Sequence, residues 1–518
     1  MKRILVLFAF ALCVWQVVKG QVTFQKTYNV GMISSYPNSF QVTSDSGLIV
    51  VGTCDDMFSM NAFLLKLNSI GDTLWSRIFD SGNQDEGVYV VQTFDGGYAM
   101  CGTTSNGNTF LLKTDSQGNQ LWAKEYVTAF QQGNCHFLIQ KSDSNLVFCG
   151  RYNFISYAFT IETDPSGNVV SSKKYGDQNS DFSCIEQTTD GGFIASGSWS
   201  AVGFSVTKIN SNGSSWSKIY TASVNTSIDG LNSVIRQTSD GNFIAACTFT
   251  TYDSLLDHDI CLIKMDTSGV PIWSYVYTGI DQENNFDVEE CKDGGFIASG
   301  FKYTLGQAGE AYAMKVDSLG TIAWFKTYGD SLRDDNFAIR EAPSGGFVSI
   351  GSSFSFHQGF YPEVYCIKSD SNGNSGCHEF SYITSSYPLT VQYSLVSPLD
   401  SVLSVTTSNA GYTQSSGSTI SDLCFYDYLN QEINSSINDL DLYPNPTSSQ
   451  FTIDSRQYSM IAIEVYNVLG EKISAKQLHP NSNSKNRTTI DINGLSPGIY
   501  FLKVQTENGA ITQKFIKE

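Results

Sequence analysis

One phrase recurs seven times in this chain at a regular spacing, and this period constrains the fold more than any other feature. The phrase at residues 187–197 reads Gln-Thr-Thr-Asp-Gly-Gly-Phe-Ile-Ala-Ser-Gly. Its turn position recurs at intervals of 50, 48, 47, 50, 53 and 51 residues, at Asp45, Asp95, Asp143, Asp190, Asp240, Asp293 and Ser344. An array of strand-like units with a period near fifty is typical of a β-propeller.

Each repeat predicts four short antiparallel strands, here named a to d. The turn after strand a carries Asp-Gly-Gly and the turn after strand c carries Asp-Ser-x-Gly, where glycine supplies the positive φ of a bulged hairpin. A tryptophan four residues after the second turn glycine predicts packing between neighbouring repeats, and it stands at Trp75, Trp122, Trp273 and Trp324. Seven such units predict an all-β fold with a seven-bladed propeller.

The seventh repeat is incomplete. After Gly373 the tryptophan position is Cys377, and no x-Lys-x-Tyr strand follows. The missing strand stands near the start of the chain, where residues 24–28 match residues 324–328. Pairing of this first strand into the last blade would remove an open sheet edge. Residues 21–377 are therefore predicted to form one ring whose N-terminal strand closes blade 7.

The repeat is similar to those of known propeller families. The spacing Asp115-x-x-Gly118-x-x-x-Trp122 resembles the tryptophan-docking repeat of quinoprotein propellers and the Asp box of sialidases, without matching either. The array as a whole resembles quinoprotein-like and WD-repeat-like propellers. These resemblances imply the fold alone. The sialidase arginine triad is not expected, because the five arginines of the repeats stand in no motif: Arg77, Arg151, Arg236, Arg333 and Arg340.

Residues 1–20 are typical of a secretory signal peptide. Lys2 and Arg3 precede the apolar run 4–18, and Gly20 supplies a small residue before the expected cleavage. The alternative is a membrane anchor, which needs about 20 apolar residues. No later segment is long and apolar enough to suggest a membrane span after signal removal. The mature chain is therefore predicted to leave the cytoplasm as a soluble protein.

The charge balance argues against nucleic acid as a partner. The chain has 31 basic and 50 acidic residues, and removal of Lys2, Arg3 and Lys19 leaves 28 basic residues and a net charge of −22. Residues 438–518 carry equal numbers of both signs, so the acidic excess lies on the rest of the chain. Such a surface repels polyanions and anionic membranes.

Residues 438–518 have a different character from the repeats. An extended Tyr-Pro-Asn-Pro entry precedes alternating strands, a turn with glycine and a final Leu-Ser-Pro-Gly-Ile-Tyr segment. The landmark residues are Tyr443, Pro444, Asn445, Pro446, Gly470, Gly498 and Tyr500. Read without any family, this pattern predicts a cysteine-free sandwich of roughly seven short strands.

These landmarks, in this order, closely resemble the type A C-terminal sorting domain of the type IX secretion system of Gram-negative bacteria. The resemblance implies a small Ig-like β-sandwich that engages the type IX secretion machinery. It also implies transport through the periplasm to the outer cell surface or the medium.

Residues 378–437 connect the two parts and are rich in Ser, Thr and Tyr. The sequence leaves open whether this segment packs on the ring or forms a unit of its own, and its last residues predict a polar linker. Cys377 and Cys424 bracket it, and an oxidising envelope permits a disulfide between them. Cys101 and Cys149 fall inside apolar strands, where buried free thiols are expected.

Recognition is expected on the face from which the b–c and d–a connections emerge, because only these connections vary in length. Blades 5 to 7 carry the insertions, at residues 251–259, 303–310 and 354–361. The candidate ligand contacts there are Tyr252, Tyr303, Phe356 and Tyr361. For the aromatic residues of the last insertion, the alternative is that they cover the top of the blade.

The blade 5 insertion also holds weak candidates for a hard-cation site such as calcium: Asp253, Asp257, His258 and Asp259. The alternative is solvated loop charge, so no cofactor or metal is predicted. No catalytic residue is assigned either, because the sequence contains none of the common hydrolase, metalloprotease or nucleotide-binding motifs.

The sequence thus predicts a secreted or cell-surface propeller that binds an extracellular glycan, peptide or protein. Two alternatives stay open. One is an extracellular hydrolase or lyase that acts on a polymer, and the other is a surface adhesion or structural protein. The sequence does not identify the ligand.

Overall fold

The computed structural model describes most of the chain after residue 21. The described residues are 22–31, 33–55, 59–128, 133–152, 157–176, 179–199, 203–223, 225–252, 257–279, 281–303, 308–356, 361–396, 401–427, 440–443, 445–455, 460–467, 472–477, 487–506 and 509–517. The predicted signal peptide lies outside them. The chain divides into two compact units, residues 1–426 and 427–518.

The first unit is a ring of seven antiparallel sheets, each built from strands a to d of one repeat. Blade 1 has β2 (Ser34–Val42), β3 (Leu48–Asp55), β4 (Met60–Leu67) and β5 (Thr73–Asp80). Blade 2 has β6 (Asp85–Gln92), β7 (Tyr98–Thr104), β8 (Thr109–Thr114) and β9 (Gln120–Thr128). Blade 3 has β10 (Gly133–Gln140), β11 (Leu146–Tyr152), β12 (Tyr157–Thr163) and β13 (Val169–Tyr175).

The remaining blades follow the same order. Blade 4 has β14 (Cys184–Gln187), β15 (Phe193–Ser198), β16 (Phe204–Ile209) and β17 (Ser215–Thr221). Blade 5 has β18 (Thr226–Gln237), β19 (Phe243–Thr251), β20 (Asp257–Met265) and β21 (Pro271–Thr278). Blade 6 has β22 (Gln282–Glu290), β23 (Phe296–Tyr303), β24 (Glu310–Val316) and β25 (Ile322–Tyr328). Blade 7 has β26 (Ala338–Glu341), β27 (Phe347–Ser353), β28 (Glu363–Ser369) and β1 (Val22–Asn29).

Strand β1 closes the ring. It pairs antiparallel with β28, with Phe24 opposite Lys368 and Tyr28 opposite Val364. Phe24 and Tyr28 are both buried. The first strand of the chain therefore completes the last blade, in the place where the seventh repeat lacks its own strand d.

The repeated tyrosine and tryptophan of strand d contact the c–d turn of the next blade. The Tyr126, Tyr220 and Tyr328 hydroxyls each donate to the carbonyl of the turn glycine in the following blade, at 2.7 to 2.8 Å. A Cβ atom added to Gly167 would lie 2.8 Å from the Trp122 ring. The turn glycine is thus required both for its positive φ and for this close approach.

A repeated lysine explains the aspartate of the Asp-Gly-Gly turn. The Lys208 ammonium group, almost fully buried, lies 2.9 Å from Asp190 Oδ2. Equivalent pairs are Lys66 with Asp45, Lys113 with Asp95, Lys264 with Asp240 and Lys315 with Asp293. Partial burial opposes ionisation of Asp190, but hydrogen bonds from Thr188 and Lys208 lower its pKa to about 2.

The repeated Gln or Glu at the end of strand a links neighbouring turns. Its side chain accepts a hydrogen bond from a backbone N–H in the Asp-Gly-Gly turn of the preceding blade. This happens at six blade junctions, through Gln92, Gln140, Gln187, Gln237, Glu290 and Glu341. At the seventh junction the turn residue is Pro343, which has no N–H. Gln41 instead accepts a hydrogen bond from the backbone of Gln92.

Residues 378–427 add a fifth strand to every blade, whereas the sequence predicts four. We call this segment the belt. Its strands lie on the outer strand d of the blades in the order 6, 5, 4, 3, 2, 1, 7. They are β29 (Glu379–Ser381), β30 (Ser385–Pro388), β31 (Gln392–Val396), β32 (Ser401–Val402), β33 (Val405–Asn409), β34 (Thr413–Ser415) and β35 (Thr419–Asp427). The belt therefore runs around the outside of the ring, and the predicted polar linker lies mostly outside the described residues.

Among the described residues of the first unit, two pairs of cysteines form disulfides. Cys377 and Cys424, the pair proposed from the sequence, are bonded at the two ends of the belt with their Cα atoms 6.1 Å apart. Cys101 of blade 2 is bonded to Cys135 of blade 3, so the expectation of a free thiol at Cys101 is wrong. These two residues face each other across a blade junction, which the spacing of cysteines in the sequence does not reveal. Cys149 is a buried free thiol, as expected.

The second unit is a sandwich of two sheets. One has β36 (Leu440–Tyr443), β37 (Gln450–Ser455) and β40 (Arg487–Asp491), and the other has β38 (Met460–Asn467), β39 (Lys472–Gln477), β41 (Gly498–Thr506) and β42 (Gly509–Lys517). Alternate residues of these strands form one apolar core: Phe451, Ile453, Ile463, Val465, Ile490, Ile492, Leu502, Val504 and Phe515. This arrangement has the roughly seven strands that the sequence predicts.

Candidate functional site

The ring has two different faces. The short a–b and c–d turns emerge on one of them, here called the turn face. The b–c and d–a connections, which vary in length, emerge on the other, here called the variable-loop face. Strand a of each blade runs from the variable-loop face to the turn face and lines the central channel.

A cavity of about 330 Å³ occupies the channel near the variable-loop face and is here called the channel mouth. Strand a of six blades contributes to its wall, and blade 4 contributes Ser183, the residue before its strand a. Aromatic rings come from Tyr89, Phe137, Phe286 and Phe337, and polar groups come from Asn38, Glu86, His136, Ser183 and Asn232. A wall of this mixed kind suits a ligand with both apolar and hydrogen-bonding surfaces.

A layer of charged groups closes the channel below this cavity. The residue before the repeated Gln or Glu is apolar in blades 1 to 3 and charged in blades 4 to 7. In chain order these residues are Phe40, Val91, Ile139, Glu186, Arg236, Glu289 and Arg340. Arg236 and Arg340 also line a second cavity of about 290 Å³ toward the turn face, so they separate the two cavities.

The two arginines of this layer share one buried carboxylate. Arg236 Nη2 lies 3.4 Å from Asp287 Oδ1, and Arg340 Nη1 forms an ion pair with Asp287 Oδ2. Burial raises the pKa of Glu186 and of Glu289, although Arg236 and Arg340 respectively act against the shift. Both guanidinium groups thus face carboxyl groups within the layer.

A carboxyl group and an imidazole of the channel mouth lie outside this layer. Withdrawal from bulk solvent raises the pKa of Glu86, which lies in blade 2. His136 of the neighbouring blade 3 has Nδ1 3.2 Å from the Phe182 carbonyl oxygen, and burial lowers its pKa. A carboxyl group and an imidazole therefore line the same cavity.

A larger cavity of about 490 Å³ lies on the variable-loop face between blades 3, 4 and 5, and we call it the Tyr252 cavity. Its wall includes Arg151, Asp181, Asp229, Leu231 and Tyr252. The Tyr252 side chain is 55% exposed, and its hydroxyl lies 3.0 Å from Ser227 Oγ, which fixes the ring. The cavity adjoins the channel mouth, because Leu231 lines one and its chain neighbour Asn232 lines the other.

The aspartates of this cavity keep acceptor capacity for a ligand. Asp181 Oδ1 accepts a hydrogen bond from the Ser198 backbone at 3.0 Å, and Asp229 Oδ1 accepts one from the Leu231 backbone at 2.9 Å. These bonds orient the two carboxylates. Each carboxylate has a second oxygen, and Arg151 supplies a guanidinium group that is exposed in the same cavity.

The predicted ligand contacts are not gathered in one place. Tyr252 lines its cavity, whereas Tyr303, Phe356 and Tyr361 line neither the Tyr252 cavity nor the channel mouth. Phe356 packs on Tyr365 and His378, with ring centroids 5.6 and 4.9 Å apart, so it covers blade 7. Tyr361 is exposed, and Tyr303 is half-buried at the end of β23.

The cation candidates of blade 5 make ordinary protein contacts. His258 Nδ1 lies 3.0 Å from Thr250 Oγ1, and Asp259 is buried in β20, where burial raises its pKa to about 6. Asp257 is the first residue of the same strand, and Asp253 lies outside the described residues. Within the described ranges no group of three or more His, Cys, Asp or Glu residues is arranged to hold a metal ion.

The landmarks of the second unit hold its last strand. Asn445 Oδ1 accepts a hydrogen bond from the Ile516 backbone at 2.9 Å, and Asn445 Nδ2 donates to the Lys514 carbonyl at 3.1 Å. The Tyr500 ring stacks on Phe515, with centroids 5.6 Å apart. Tyr443 is exposed, Pro446 follows Asn445 through a cis bond, and Gly498 begins β41. Pro444 and Gly470 lie outside the described residues.

The comparisons with known proteins identify the second unit. Residues 441–518 match the family described as secretion system C-terminal sorting domain. The chain is therefore exported through the type IX secretion system to the cell surface or the extracellular space. In the described part of the chain no helix is long and apolar enough to cross a membrane.

The comparisons identify no relative for the whole chain. No curated protein matches it. One similar solved structure is that of Sqt1 from Chaetomium thermophilum, which is 9% identical, covers 67% of this chain and 100% of its own, and has a TM-score of 0.40. A similarity this remote carries no argument about function, so the propeller assignment rests on the strand order and the closure of the ring.

Proposed function

We propose that the protein is a glycan-binding propeller whose main site is the Tyr252 cavity. In this proposal, residues 1–20 are removed as a signal peptide, and the producing cell is a Gram-negative bacterium. The observation that carries the proposal is the grouping of an exposed aromatic ring with Arg151, Asp181 and Asp229 in one cavity on the variable-loop face.

The chemistry of the wall favours a neutral sugar over the other ligand classes. An aromatic face stacks on the apolar side of a sugar ring, while carboxylates and a guanidinium group bind vicinal hydroxyls. The two aspartates outnumber the single arginine, which disfavours an anionic ligand. Because the channel mouth adjoins the cavity, a chain of several sugars would reach both.

The test is retention on a glycan array followed by calorimetry with the retained glycan. We expect Tyr252→Ala to weaken binding about three- to tenfold, because stacking of an aromatic ring contributes about 0.5–1.5 kcal/mol. Arg151→Ala should weaken it by a similar factor, and neither variant should lower the melting temperature by more than a few degrees.

The matched control is Phe94→Ala. Phe94 is 69% exposed on the Asp-Gly-Gly turn of blade 2, on the opposite face, and its loss should leave affinity unchanged. If Phe94→Ala abolishes binding while Tyr252→Ala leaves it intact, recognition belongs to the turn face and the proposal is wrong.

A second candidate function is cleavage of the bound polymer at the channel mouth, by hydrolysis or by the elimination reaction of a lyase. Glu86 and His136 favour it, because a carboxyl group and an imidazole, two side chains commonly used in general acid–base catalysis, line one cavity. Product release from the retained glycan, lost in Glu86→Gln with binding preserved, would support this function. Retention of intact glycan by the wild type would exclude it for that ligand.

A further inference from the structure

The two ends of the belt meet although its middle surrounds the ring. The belt leaves blade 7 at Cys377, passes the outer strands of blades 6 to 1, and returns to blade 7 at β35. There Cys424 is bonded to Cys377. Cys377 and Cys424 are 47 residues apart in the sequence, and the bond between them closes the belt into a covalent loop around the whole ring.

The belt is held weakly along its length. In blades 6 to 1 its strands pair with the ring over only two to five residues each. The side chains of β30 and β34 are all exposed. A hydrogen bond contributes about 0.5–1.5 kcal/mol net, so the pairing of each strand by itself holds the belt only weakly.

A few belt side chains anchor it at intervals. The Tyr382 hydroxyl donates to Glu283 Oε1 at 2.8 Å, Leu403 is buried, and the Tyr412 ring lies 5.4 Å from Phe110. The contacts of Tyr382 with Glu283 and of Tyr412 with Phe110 each join the belt to one blade. An anchor of this kind slows local detachment, but it does not stop a free end from separating one blade at a time.

The end of the belt also covers the strand that closes the ring. Strand β1 lies between β28 and β35 in the sheet of blade 7. The buried Lys26 of β1 lies 3.2 Å from Asp422 of the belt, and Gln25 Nε2 donates to the Cys377 carbonyl. Separation of the belt from its C-terminal end would therefore expose β1 first.

We infer that the Cys377–Cys424 bond is a redox closure that keeps the belt around the ring and the ring closed. It forms by thiol–disulfide exchange with an oxidised dithiol carrier in the envelope. The two cysteine thiols lose two electrons and two protons, and the disulfide of the carrier becomes two thiols. With the bond formed the belt has no free end, and it opens only by detachment from several blades at once. With the bond reduced, separation begins at β35.

Hydrogen exchange of the mature protein tests this inference. In Cys377→Ser/Cys424→Ser we expect amides of β30, β31 and β33 to exchange up to about a thousandfold faster, from the chain entropy of a loop of this length. Amides of the inner strands, such as β3 and β8, should keep wild-type protection at neutral pH and moderate temperature.

The matched control is Cys101→Ser/Cys135→Ser, which removes the other disulfide without opening the belt. This variant should leave the hydrogen-exchange rates of the belt amides unchanged, even if its melting temperature is lower. If the Cys377/Cys424 variant does not fold, the same comparison is made on folded wild-type protein before and after brief treatment with dithiothreitol. Wild-type protection of the belt in the variant or in the reduced protein, or equal loosening in the control, would overturn the inference.

Discussion

The ring and the belt form the same seven sheets from very different sequences. Strands of the ring such as β8 and β28 bury every side chain, and their residues recur from repeat to repeat. Belt strands such as β30 and β34 bury none and share no repeated phrase. The ring is held by side chains between blades, whereas the belt is held by backbone hydrogen bonds and by closure of its ends. The comparison teaches that one sheet can combine a specific inner part with an outer strand that almost any polar sequence could supply.

The largest expected effect comes from removal of β1, because this strand belongs to the ring. Deletion of residues 22–29 removes the buried side chains of Phe24 and Tyr28 and exposes the edge of β28. Loss of large buried aromatic side chains costs about 3–5 kcal/mol each. We therefore expect the free energy of unfolding to fall by more than about 5 kcal/mol, as measured by urea denaturation.

Removal of the belt is the comparison for this deletion. A chain that ends at residue 377 loses the fifth strand of every blade but keeps nearly all buried side chains of the ring. Its free energy of unfolding should therefore fall less than that of the β1 deletion. An equal or larger loss than that of the β1 deletion would show that the belt is as essential as the ring.

A smaller effect is expected where the belt meets blade 6. Burial, with the nearby carboxylates, raises the pKa of Glu283 to about 8. The neighbouring groups are Asp257, Asp259, Asp281, Tyr382 of the belt, and Lys302, which pairs with Asp281. Because the folded-state pKa lies above the unfolded value, the stability associated with protonated Glu283 is fully present below about pH 4.5 and is lost as the pH rises through 8.

Glu283→Gln should remove this pH dependence. The amide oxygen still accepts the Tyr382 hydrogen bond, and no charge is buried at high pH. We expect the variant to be more stable than the wild type by about 2 kcal/mol at pH 9 and nearly equal at pH 5. Equal pH profiles of urea denaturation for the two proteins would contradict the assignment.

The sequence was sufficient for the ring because its signals are local and repeated. Turn glycines, alternating apolar residues and the displaced x-Lys-x-Tyr strand specify blade number and closure directly. The alternating stretches 389–395 and 402–406 predict strands in the belt, but its pairing with every blade could not be predicted, because short strands with exposed side chains carry no signal for their partner strands. The Cys101–Cys135 disulfide also required the structure, since it depends on how strand b of one blade meets strand a of the next.

The candidate site was only partly predictable. The variable-loop face follows from the lengths of the connections, and Tyr252 lies at a cavity there. The charged layer of the channel was missed, although one signal could have found it. At the position before the repeated Gln or Glu, blades 4 to 7 change from apolar residues to Glu186, Arg236, Glu289 and Arg340. Their partner Asp287 lies two residues before Glu289, on the same side of the strand.

The smallest expected effect tests whether the lysine–aspartate pair that holds the turns of blades 1, 2, 4, 5 and 6 can be transferred to blade 7, which lacks it. In blade 7 the turn aspartate is replaced by Ser344, and the buried Lys368 ammonium group donates to the Gly345 carbonyl at 2.6 Å. Burial lowers the pKa of Lys368 from 10.5 to about 8. Between these two pH values the unfolded chain keeps the proton that the folded protein has lost. The wild type should therefore gain stability as the pH rises from about 8 to 10.5.

Ser344→Asp supplies the missing carboxylate and should raise the free energy of unfolding by about 1 kcal/mol at pH 7, with a smaller gain at pH 10. Asp190→Asn, which removes a carboxylate from an intact pair, should lower stability at pH 7 by a similar amount. Urea denaturation that finds Ser344→Asp neutral or destabilising would mean that the turn of blade 7 is held by its own backbone and cannot use the lysine–aspartate pair of blades 1, 2, 4, 5 and 6.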